Sequence, residues 1–246
     1  MSGKRIVIDF YYDIGSFYSY AAFVILGRYA SSKWLNEVEL SLKPVLLGGI
    51  FKATGNQAPI SLPARQNYLM KDFMRTADWI GVNIQFPTTF PSNSLKVMRL
   101  LTAIKLFYPA RLWYATDILF KAYWGESKEI DNNTTLTSVL IESGEFSESI
   151  AGDLIRRTSE SVIKNSLREA TEASVELGLF GAPTFAIHRD TFSRREVLNL
   201  MEHEPPSVYE LFFGADRIPL MAHCLGLPWV GPLSKLQQQS SSSSKL

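Results

Sequence analysis

Patterns that predict β-strands lie near the two ends of this chain of 246 residues, and helical patterns fill the interior. At the first end, residues 4–12, KRIVIDFYY, carry Ile6, Ile8 and Phe10 at alternate positions, which is typical of a largely buried strand. The following FYSYAAFVILGRYA is apolar and long enough for a helix that is buried on most sides, and residues 38–47 predict a second strand. This order predicts a βαβ unit.

The interior of the chain is predicted to pass from a loop into successive helices. Residues 48–65, GGIFKATGNQAPISLPAR, are rich in Gly and Pro and predict a long loop. Gly144 and Gly178 stand where helices are expected to stop. The predicted helices cover residues 66–80, 94–107, 110–124, 135–143, 147–157 and 159–177.

The second end returns to strand patterns in LFGAPTFAIH and YELFFG and finishes in a predicted helix over residues 218–225. The predicted fold class is therefore α/β, with a βαβ half and a ββα half that form one composite domain. We expect that domain to comprise residues 1–65 and 178–232, an all-helical insertion to cover 66–177, and a flexible polar tail to cover 233–246. The charged stretch 190–206 has no assigned role.

The composition narrows the possible partners and cofactors. Lys and Arg number 25 against 24 Asp and Glu, so the formal net charge is +1, and no basic block favours nucleic acid or an anionic membrane as a partner. Cys224 is the single cysteine, which excludes an intrachain disulfide, a Cys-x-x-Cys redox pair and a cysteine-rich zinc site. No apolar run reaches the roughly 18 residues of a membrane helix, and the N-terminus does not read as a secretory signal.

The chain finishes in QQQSSSSSKL, a polar, low-complexity stretch that is expected to be flexible. Its last three residues, Ser244, Lys245 and Leu246, match the peroxisomal address Ser-Lys-Leu. A chance ending is the alternative, but a flexible spacer that presents the tripeptide favours the address. We therefore expect peroxisomal localisation through the import receptor that reads this tripeptide.

Ser16 stands where the first predicted strand passes into the first predicted helix, in the stretch DIGSFYSY. A serine before a helix is ordinarily its N-cap. The same place also favours an anion, because free N–H groups point out of a helix N-terminus and open α/β sheets bind ligands at the carboxyl ends of their strands. The anion could be a thiolate or a carboxylate.

A serine nucleophile is the competing interpretation of Ser16. However, the turn does not have the G-x-S-x-G pattern, and no suitable histidine stands nearby. The three histidines, His188, His203 and His223, do not have the spacing of metal ligands. Triad hydrolysis and metal catalysis are therefore disfavoured.

Three other stretches could serve either the fold or a ligand. GAPTF, residues 181–185, is either a rigid turn or an X-Pro turn that leaves backbone groups free to pair with an extended ligand. In FFGADR, Asp216 either caps the last helix or holds the ammonium group of a ligand. Asn56 in GNQAP and Arg65 beyond it are either turn residues or polar contacts to a ligand.

Taken together, these stretches resemble the kappa-class glutathione transferases over nearly the whole chain. FYYDIGSFYSY is similar to that family's first strand and serine-bearing helix start, and LKPVLLGGIFKATGNQAP to its second strand and substrate loop. LREATEASVELGLFGAPTFAI and LFFGADR are similar to its later blocks, and LPWVGP to its ending. The broader relatives are the 2-hydroxychromene-2-carboxylate isomerases and the DsbA-like proteins. The resemblance implies a thioredoxin-like fold with a helical insertion, and a homodimer.

The resemblance also implies a glutathione site. In it, Ser16 donates a hydrogen bond to the glutathione sulfur, Ala182 before a cis Pro183 pairs with the cysteinyl backbone, and Asp216 holds the γ-glutamyl ammonium. The implied glutathione-binding residues are Ser16, Tyr18, Asn56, Arg65, Ala182, Pro183, Ala215 and Asp216. Ala215 replaces a serine that is common in the family, so a contact to the glutamyl carboxylate is lost and backbone N–H groups are left to serve it.

These observations lead to three hypotheses about function. The first is a glutathione S-transferase, in which a thiolate held by Ser16 attacks a small apolar electrophile. Glutathione is then the co-substrate, and neither a metal nor a covalently bound cofactor is expected. The second is a glutathione-dependent isomerase of the 2-hydroxychromene-2-carboxylate type, and the third is a peroxisomal glutathione-binding protein without catalysis. Since family members also occur in mitochondria, the mitochondrial matrix is the alternative location.

Overall fold

Strands from both ends of the chain form one mixed sheet in the computed structural model, which describes residues 5–188 and 209–233. Its four strands lie in the order β2-β1-β3-β4. β1 (Ile6–Tyr12) pairs in parallel with β2 (Val38–Pro44) and antiparallel with β3 (Thr184–His188). β4 (Tyr209–Phe213) pairs antiparallel with β3. The predicted α/β class, with strands supplied by both ends, is confirmed.

The register of the sheet brings apolar side chains together at its centre. Phe10 of β1 stands opposite Leu42 of β2 and Phe185 of β3. The Phe10 and Phe185 rings stack with centroids 5.5 Å apart, and both side chains are fully buried. Such cross-strand aromatic pairs stabilise a sheet beyond the area that they bury.

Helix α1 (Phe17–Ala30) connects the parallel strands β1 and β2. Most of its residues are buried, including Tyr20, Ala21, Ile25 and Leu26, so it lies inside the molecule with little exposed face. This agrees with the continuous apolar sequence of the segment, since a helix that is apolar all round must be covered on all sides. The N-terminus of α1 therefore lies at the carboxyl end of the central strand β1.

The interior of the chain is helical, as predicted. We call the part from α3 to α8 the helical insertion. Its helices are α3 (Pro63–Trp79), α4 (Leu95–Phe107), α5 (Leu112–Phe120), α6 (Asn133–Glu142), α7 (Glu148–Arg157) and α8 (Ser161–Glu176). The buried side chains of these helices belong to the same core as those of the sheet and α1. The predicted domain limits at residues 65/66 and 177/178 stay predictions.

The prediction of a long loop over residues 48–65 is wrong. The segment contains helix α2 (Leu47–Thr54) and a 3₁₀ turn (Pro59–Ser61), and the second strand accordingly ends at Pro44. The reason lies in packing: a Cβ on Gly49 would stand 3.0 Å from the Thr171 Cγ2 of α8, so the glycine permits close approach between two helices. Local sequence does not reveal that use of a glycine.

The helix predicted over residues 110–124 is divided into three parts. A 3₁₀ turn (Pro109–Arg111) precedes α5, and a π-helical turn (Lys121–Gly125) follows it. The π turn changes the direction in which Tyr123 and Trp124 point, and both side chains are buried. The sequence pattern could not separate these parts because all of them are helical turns in one continuous run.

The last helix, α9 (Ile218–Leu225), has the predicted limits. The segment that follows is fastened to the end of α1. The Tyr29 hydroxyl donates to the Gly231 carbonyl and accepts from the Val230 N–H, both at 2.8 Å, and the Trp34 Nε1–H donates to the Pro228 carbonyl at 2.9 Å. The tripeptide Ser244–Leu246, the charged stretch 190–206 and His203 lie outside the described residues.

Candidate active site

Ser16 caps helix α1 and also faces GAPTF, one of the stretches that could bind a ligand. Its backbone is extended (φ −99°, ψ 115°), and its Oγ accepts a hydrogen bond from the Ser19 N–H at 3.2 Å. The same hydroxyl donates to the Ala182 carbonyl at 3.2 Å, across 166 residues of sequence. The side chain is nearly covered, at 9% exposure. The structure therefore brings together Ser16 and Ala182, as the resemblance implies.

The loop that carries Ala182 is tied to the end of β4. The Ala182–Pro183 peptide bond is cis, as the resemblance implies. The Pro183 carbonyl accepts a hydrogen bond from the Gly214 N–H at 2.9 Å. Ala182 itself is half-buried, and its N–H has no hydrogen-bond partner within the described part of the chain. That N–H is consequently available to an extended ligand.

The turn after β4 presents Asp216 beside the start of α1. Ala215 is buried in a 3₁₀ turn (Ala215–Arg217) that packs against α1. The Asp216 carboxylate is 71% exposed and forms an ion pair of 3.2 Å with Arg217. Gly214 has a φ of +102°, and a Cβ there would stand 2.5 Å from Asp216 Oδ1. The position of Asp216 thus depends on a glycine.

Asn56 reaches the same region from the loop after α2. Its Nδ2 donates to the Phe180 carbonyl at 2.7 Å, and its Oδ1 accepts from the Gln57 N–H at 2.8 Å. Asn56 therefore connects its loop to the chain two residues before Ala182. Arg65 lies exposed in the first turn of α3, and its guanidinium has no ion-pair partner among the described residues. No contact in the structure connects Arg65 to Ser16.

The Tyr18 hydroxyl is directed at the helical insertion. It donates to Asp72 Oδ2 on α3, and Tyr68 donates to the other oxygen of that carboxylate at 3.3 Å. Burial, the hydrogen bond to Asp72 and nearby negative charges that include Asp216 raise the pKa of Tyr18. The Tyr18 hydroxyl is therefore already hydrogen-bonded to Asp72.

Asp13 is a buried acid next to Ser16 that the sequence reasoning missed. Its side chain is fully buried at the end of β1. Gly15 N–H, Leu47 N–H and the Ser94 hydroxyl all donate to its carboxylate, at 2.8, 2.8 and 2.9 Å. Burial raises its pKa, and these three hydrogen bonds act in the opposite direction. The available signal was the acidic residue itself, placed between two apolar runs in DIGSF.

An aromatic cluster lies where α1 packs against the helical insertion. The Phe17 ring packs against Trp124 at 5.3 Å and against Phe73 at 4.8 Å, measured between ring centroids. Phe86 and Phe90, 5.1 Å apart, extend the cluster and remain partly exposed. A largely buried aromatic cluster therefore begins at the residue after Ser16, and its partly exposed members are Phe86 and Phe90.

The remaining polar candidates do not assemble into a metal or redox site. Within residues 5–188 and 209–233, no cluster of His, Cys, Asp and Glu could hold a metal ion. His188 Nε2 lies 3.2 Å from Asp9 Oδ2 in the sheet, whereas His223 is on the exposed face of α9. Cys224 is buried, and burial together with nearby Glu210 raises the pKa of its thiol. No helix in the described ranges is long and apolar enough to cross a membrane.

The arrangement around Ser16 is suited to binding a sulfur anion. The hydroxyl is held at a helix N-terminus, where N–H groups and the helix dipole favour negative charge. The free N–H of Ala182 offers backbone pairing beside it, and Asp216 offers a negative charge for an ammonium group. A peptide-like thiol with an amino end matches this combination.

Comparison with known proteins gives matches over nearly the whole chain. A family model described as a DSBA-like thioredoxin domain matches residues 7–226. The Homo sapiens protein named Glutathione S-transferase kappa 1 is 32% identical over 231 residues, which cover 92% of this chain and 93% of that protein. The Pseudomonas putida protein named 2-hydroxychromene-2-carboxylate isomerase is 24% identical over 198 residues, or 80% of this chain and 92% of that protein.

A solved structure of a 2-hydroxychromene-2-carboxylate isomerase has the same fold. It matches with a TM-score of 0.69 and covers 97% of this chain and 100% of its own. The sequence identity between the two is 21%, so this match concerns the fold alone. The predicted thioredoxin-like fold with a helical insertion is confirmed by the family model and by this neighbour.

Proposed function

The chain belongs to the DsbA-like thioredoxin family and, within it, to the kappa-class glutathione transferases, and on that premise we propose that it transfers glutathione to an apolar electrophile by means of Ser16. The observation that supports this most directly is the Ser16 hydroxyl, which lies at the N-terminus of α1 and opposite the Ala182 carbonyl. A single hydroxyl at that place can hold a thiolate but cannot exchange disulfides.

The proposed step begins with a change in what the Ser16 hydroxyl contacts. In the structure it donates to the Ala182 carbonyl. When glutathione binds, the hydroxyl turns to donate to the sulfur while it still accepts from the Ser19 N–H. A neutral hydrogen bond is thereby exchanged for a charge-assisted one, which is about twice as strong.

The energy required of Ser16 is modest. A free thiol with a pKa of about 8.5 is only a few per cent ionised at pH 7, and lowering that pKa by about two units corresponds to about 2.7 kcal/mol. One hydrogen bond to a charged group contributes roughly 1.5–3 kcal/mol, and a helix N-terminus adds up to about 1 kcal/mol. Together they account for a bound thiolate at neutral pH.

The thiolate then attacks the electrophile in a substitution. The sulfur forms a bond to the electrophilic carbon, the bond to the leaving halide breaks, and the halide departs with its electron pair. The thiol proton has already passed to solvent. We place the apolar substrate against Phe86 and Phe90, because these two rings remain partly exposed and belong to the aromatic cluster that includes Phe17, the residue after Ser16.

The rest of the glutathione molecule is assigned to the surrounding loops. The Ala182 backbone, beside Pro183, pairs with the cysteinyl backbone, and Asp216 binds the γ-glutamyl ammonium. N–H groups of the turn that contains Ala215 bind the glutamyl carboxylate. Further contacts to glutathione are proposed for Asn56, Arg65 and Tyr18. Asn56 and Tyr18 already bond to Phe180 and Asp72, so they would contact glutathione in addition to these partners.

The test is a comparison of Ser16→Ala with Ser147→Ala in a conjugation assay with glutathione and 1-chloro-2,4-dinitrobenzene. Ser147 is the N-cap of α7, where it accepts from the Ile150 N–H, so both variants lose a helix cap worth about 1 kcal/mol. We expect Ser16→Ala to lower kcat/KM about 10- to 100-fold, which corresponds to the lost thiolate hydrogen bond. Ser147→Ala should retain the wild-type rate. Equal rates for all three proteins would refute the role of Ser16.

A second candidate function is glutathione-dependent isomerisation, with the same thiolate site. It is supported by the relative named 2-hydroxychromene-2-carboxylate isomerase, which matches 80% of this chain. Here the thiolate adds to the substrate and is released unchanged. Isomerisation of a chromene carboxylate without any conjugate from the aryl halide would reverse our order of preference. If the Ser16→Ala variant functions in cells as well as the wild-type protein, a glutathione-binding protein without catalysis is favoured instead.

We further propose that the protein acts in peroxisomes as a homodimer. The address is the tripeptide Ser244, Lys245 and Leu246, and the mitochondrial matrix is the alternative location. Light scattering at micromolar concentration measures the mass directly, and a mass of one chain would exclude the dimer. The proposed location rests on the tripeptide, and the proposed dimer rests on the resemblance to the family.

A further inference from the structure

Side chains of the helical insertion form hydrogen bonds with Asp13 and Ile14, the residues that lead into the Ser16 turn. The Ile14 N–H donates to the Met98 Sδ of α4 at 3.3 Å, and the Ile14 carbonyl accepts from the Trp124 Nε1–H at 2.9 Å. The Ser94 hydroxyl donates to Asp13 Oδ2 at 2.9 Å. These contacts join residues between 81 and 110 positions apart. Both main-chain polar groups of Ile14 are thus held by elements remote in sequence.

Asp13 is the centre of this arrangement. Its Oδ1 accepts from the Gly15 N–H and its backbone carbonyl from the Ser16 N–H at 3.0 Å, so it closes the turn before α1. Its Oδ2 accepts from Leu47 at the start of α2 and from Ser94 before α4. One buried carboxylate therefore fixes the Ser16 turn to two other parts of the molecule.

Trp124 reaches Ile14 because of the π-helical turn that follows α5. This turn spans Lys121–Gly125, and Trp124 in it is fully buried. Single π turns in helices re-aim side chains and occur often at functional sites. Here the re-aimed side chain donates its only N–H to the backbone two residues before Ser16.

We propose that Asp13, Ser94 and Trp124 are positioning residues, through which the helical insertion sets the place of the Ser16 hydroxyl. This inference rests on the proposed function. None of the three needs to touch glutathione, because they act through the turn that carries Ser16. A hydrogen bond to a thiolate depends steeply on distance and angle, so a displacement of well under 1 Å weakens it.

The experiment uses pairs of variants of the full chain with closely similar chemistry. Trp124→Phe removes the indole N–H that holds the Ile14 carbonyl; its control is Trp34→Phe, which removes a buried indole N–H that donates at 2.9 Å to the remote Pro228 carbonyl. Ser94→Ala removes the hydroxyl that holds Asp13. Its control is Ser174→Ala, because Ser174 is a buried serine that donates to its own helix.

The measured quantity is the pKa of glutathione bound to each protein, obtained from the ultraviolet absorbance of the thiolate as pH varies, together with kcat and KM. Trp124→Phe and Ser94→Ala should each raise the pKa of the bound thiol by about one unit. Well below that pKa, this corresponds to about tenfold less thiolate. They should lower kcat more than they raise KM. Both controls should keep the wild-type pKa, even if their melting temperatures fall equally.

The outcomes separate this inference from the proposed function. If wild-type protein does not lower the pKa of bound glutathione relative to Ser16→Ala, the proposed function fails, and this inference is overturned with it. If Ser16→Ala behaves as proposed but folded Trp124→Phe and Ser94→Ala keep the wild-type pKa, only the positioning role is overturned. Asp13→Asn provides a third test if it folds, and the two milder variants decide the matter if it does not.

Discussion

Substitution of Gly214 by Ala should separate the cost of a strained backbone from the loss of a glutathione contact. Gly214 has a φ of +102°, in the left-handed region that disfavours side chains. An Ala there costs roughly 1–2 kcal/mol, partly offset by about 0.4–1 kcal/mol because Ala loses less conformational entropy on folding. The net loss of about 1 kcal/mol should lower the melting temperature by about 2–4 °C for a chain of this size.

The added methyl group also has a specific neighbour. Its Cβ would stand 2.5 Å from Asp216 Oδ1, and a Cβ atom does not approach a non-bonded atom so closely. Asp216 is 71% exposed and flexible, so its carboxylate will swing away and leave the place assigned to the glutathione ammonium. An ion pair this exposed contributes about 0.5–1 kcal/mol, so the affinity for glutathione should fall about two- to fivefold.

Gly144→Ala is the matched control for this change. Gly144 has a φ of +76°, follows α6, and a Cβ there would meet no atom within 4 Å. Both variants should lose similar stability by scanning calorimetry, but titration calorimetry should show weaker glutathione binding only for Gly214→Ala. Unchanged affinity of Gly214→Ala, together with the expected loss of stability, would refute the reasoning about Asp216.

Three other predictions concern separate parts of the chain. Arg65→Ala should leave the melting temperature unchanged, since the side chain is exposed, and should raise the KM for glutathione about two- to fivefold at low salt; a KM equal to wild type would contradict its assignment. Because burial raises the pKa of Cys224, less of it is thiolate at neutral pH than in the unfolded chain; iodoacetamide should therefore modify the native protein at least about tenfold more slowly than the unfolded one, and equal rates would contradict the burial. Deletion of Leu246 should return a fluorescently tagged protein from peroxisomes to the cytosol; unchanged punctate fluorescence would rule out the address.

Much of the fold could be predicted because its signals are local. The alternation in residues 4–12 indicated β1, and the continuous apolar run after Ser16 indicated a helix covered on most sides. The helix at residues 218–225 was predicted with the observed limits, and in the structure it ends at Gly226 in the left-handed conformation. Such patterns depend on neighbours within one or two turns, which a sequence shows directly.

The wrong predictions concern segments whose local structure depends on contacts with residues remote in sequence. The glycine-rich segment that predicted a loop is a helix, because Gly49 permits contact with Thr171 of α8. The single helix predicted over residues 110–124 is interrupted by a π turn. This turn contains Trp124, which bonds to the Ile14 carbonyl. In both cases the deciding neighbour lies more than a hundred residues away.

By itself, the sequence determined the order of the strands and of most helices, although not helix α2, and the presence of a capping serine where β1 passes into α1, because periodicity and capping are short-range properties. Tertiary structure alone decided that the Ser16 hydroxyl meets the Ala182 carbonyl and that Asp13 is held by Ser94. These contacts exist because sheet order and helix packing bring residues remote in sequence within hydrogen-bond distance. The proposed chemistry of Ser16 depends on that packing.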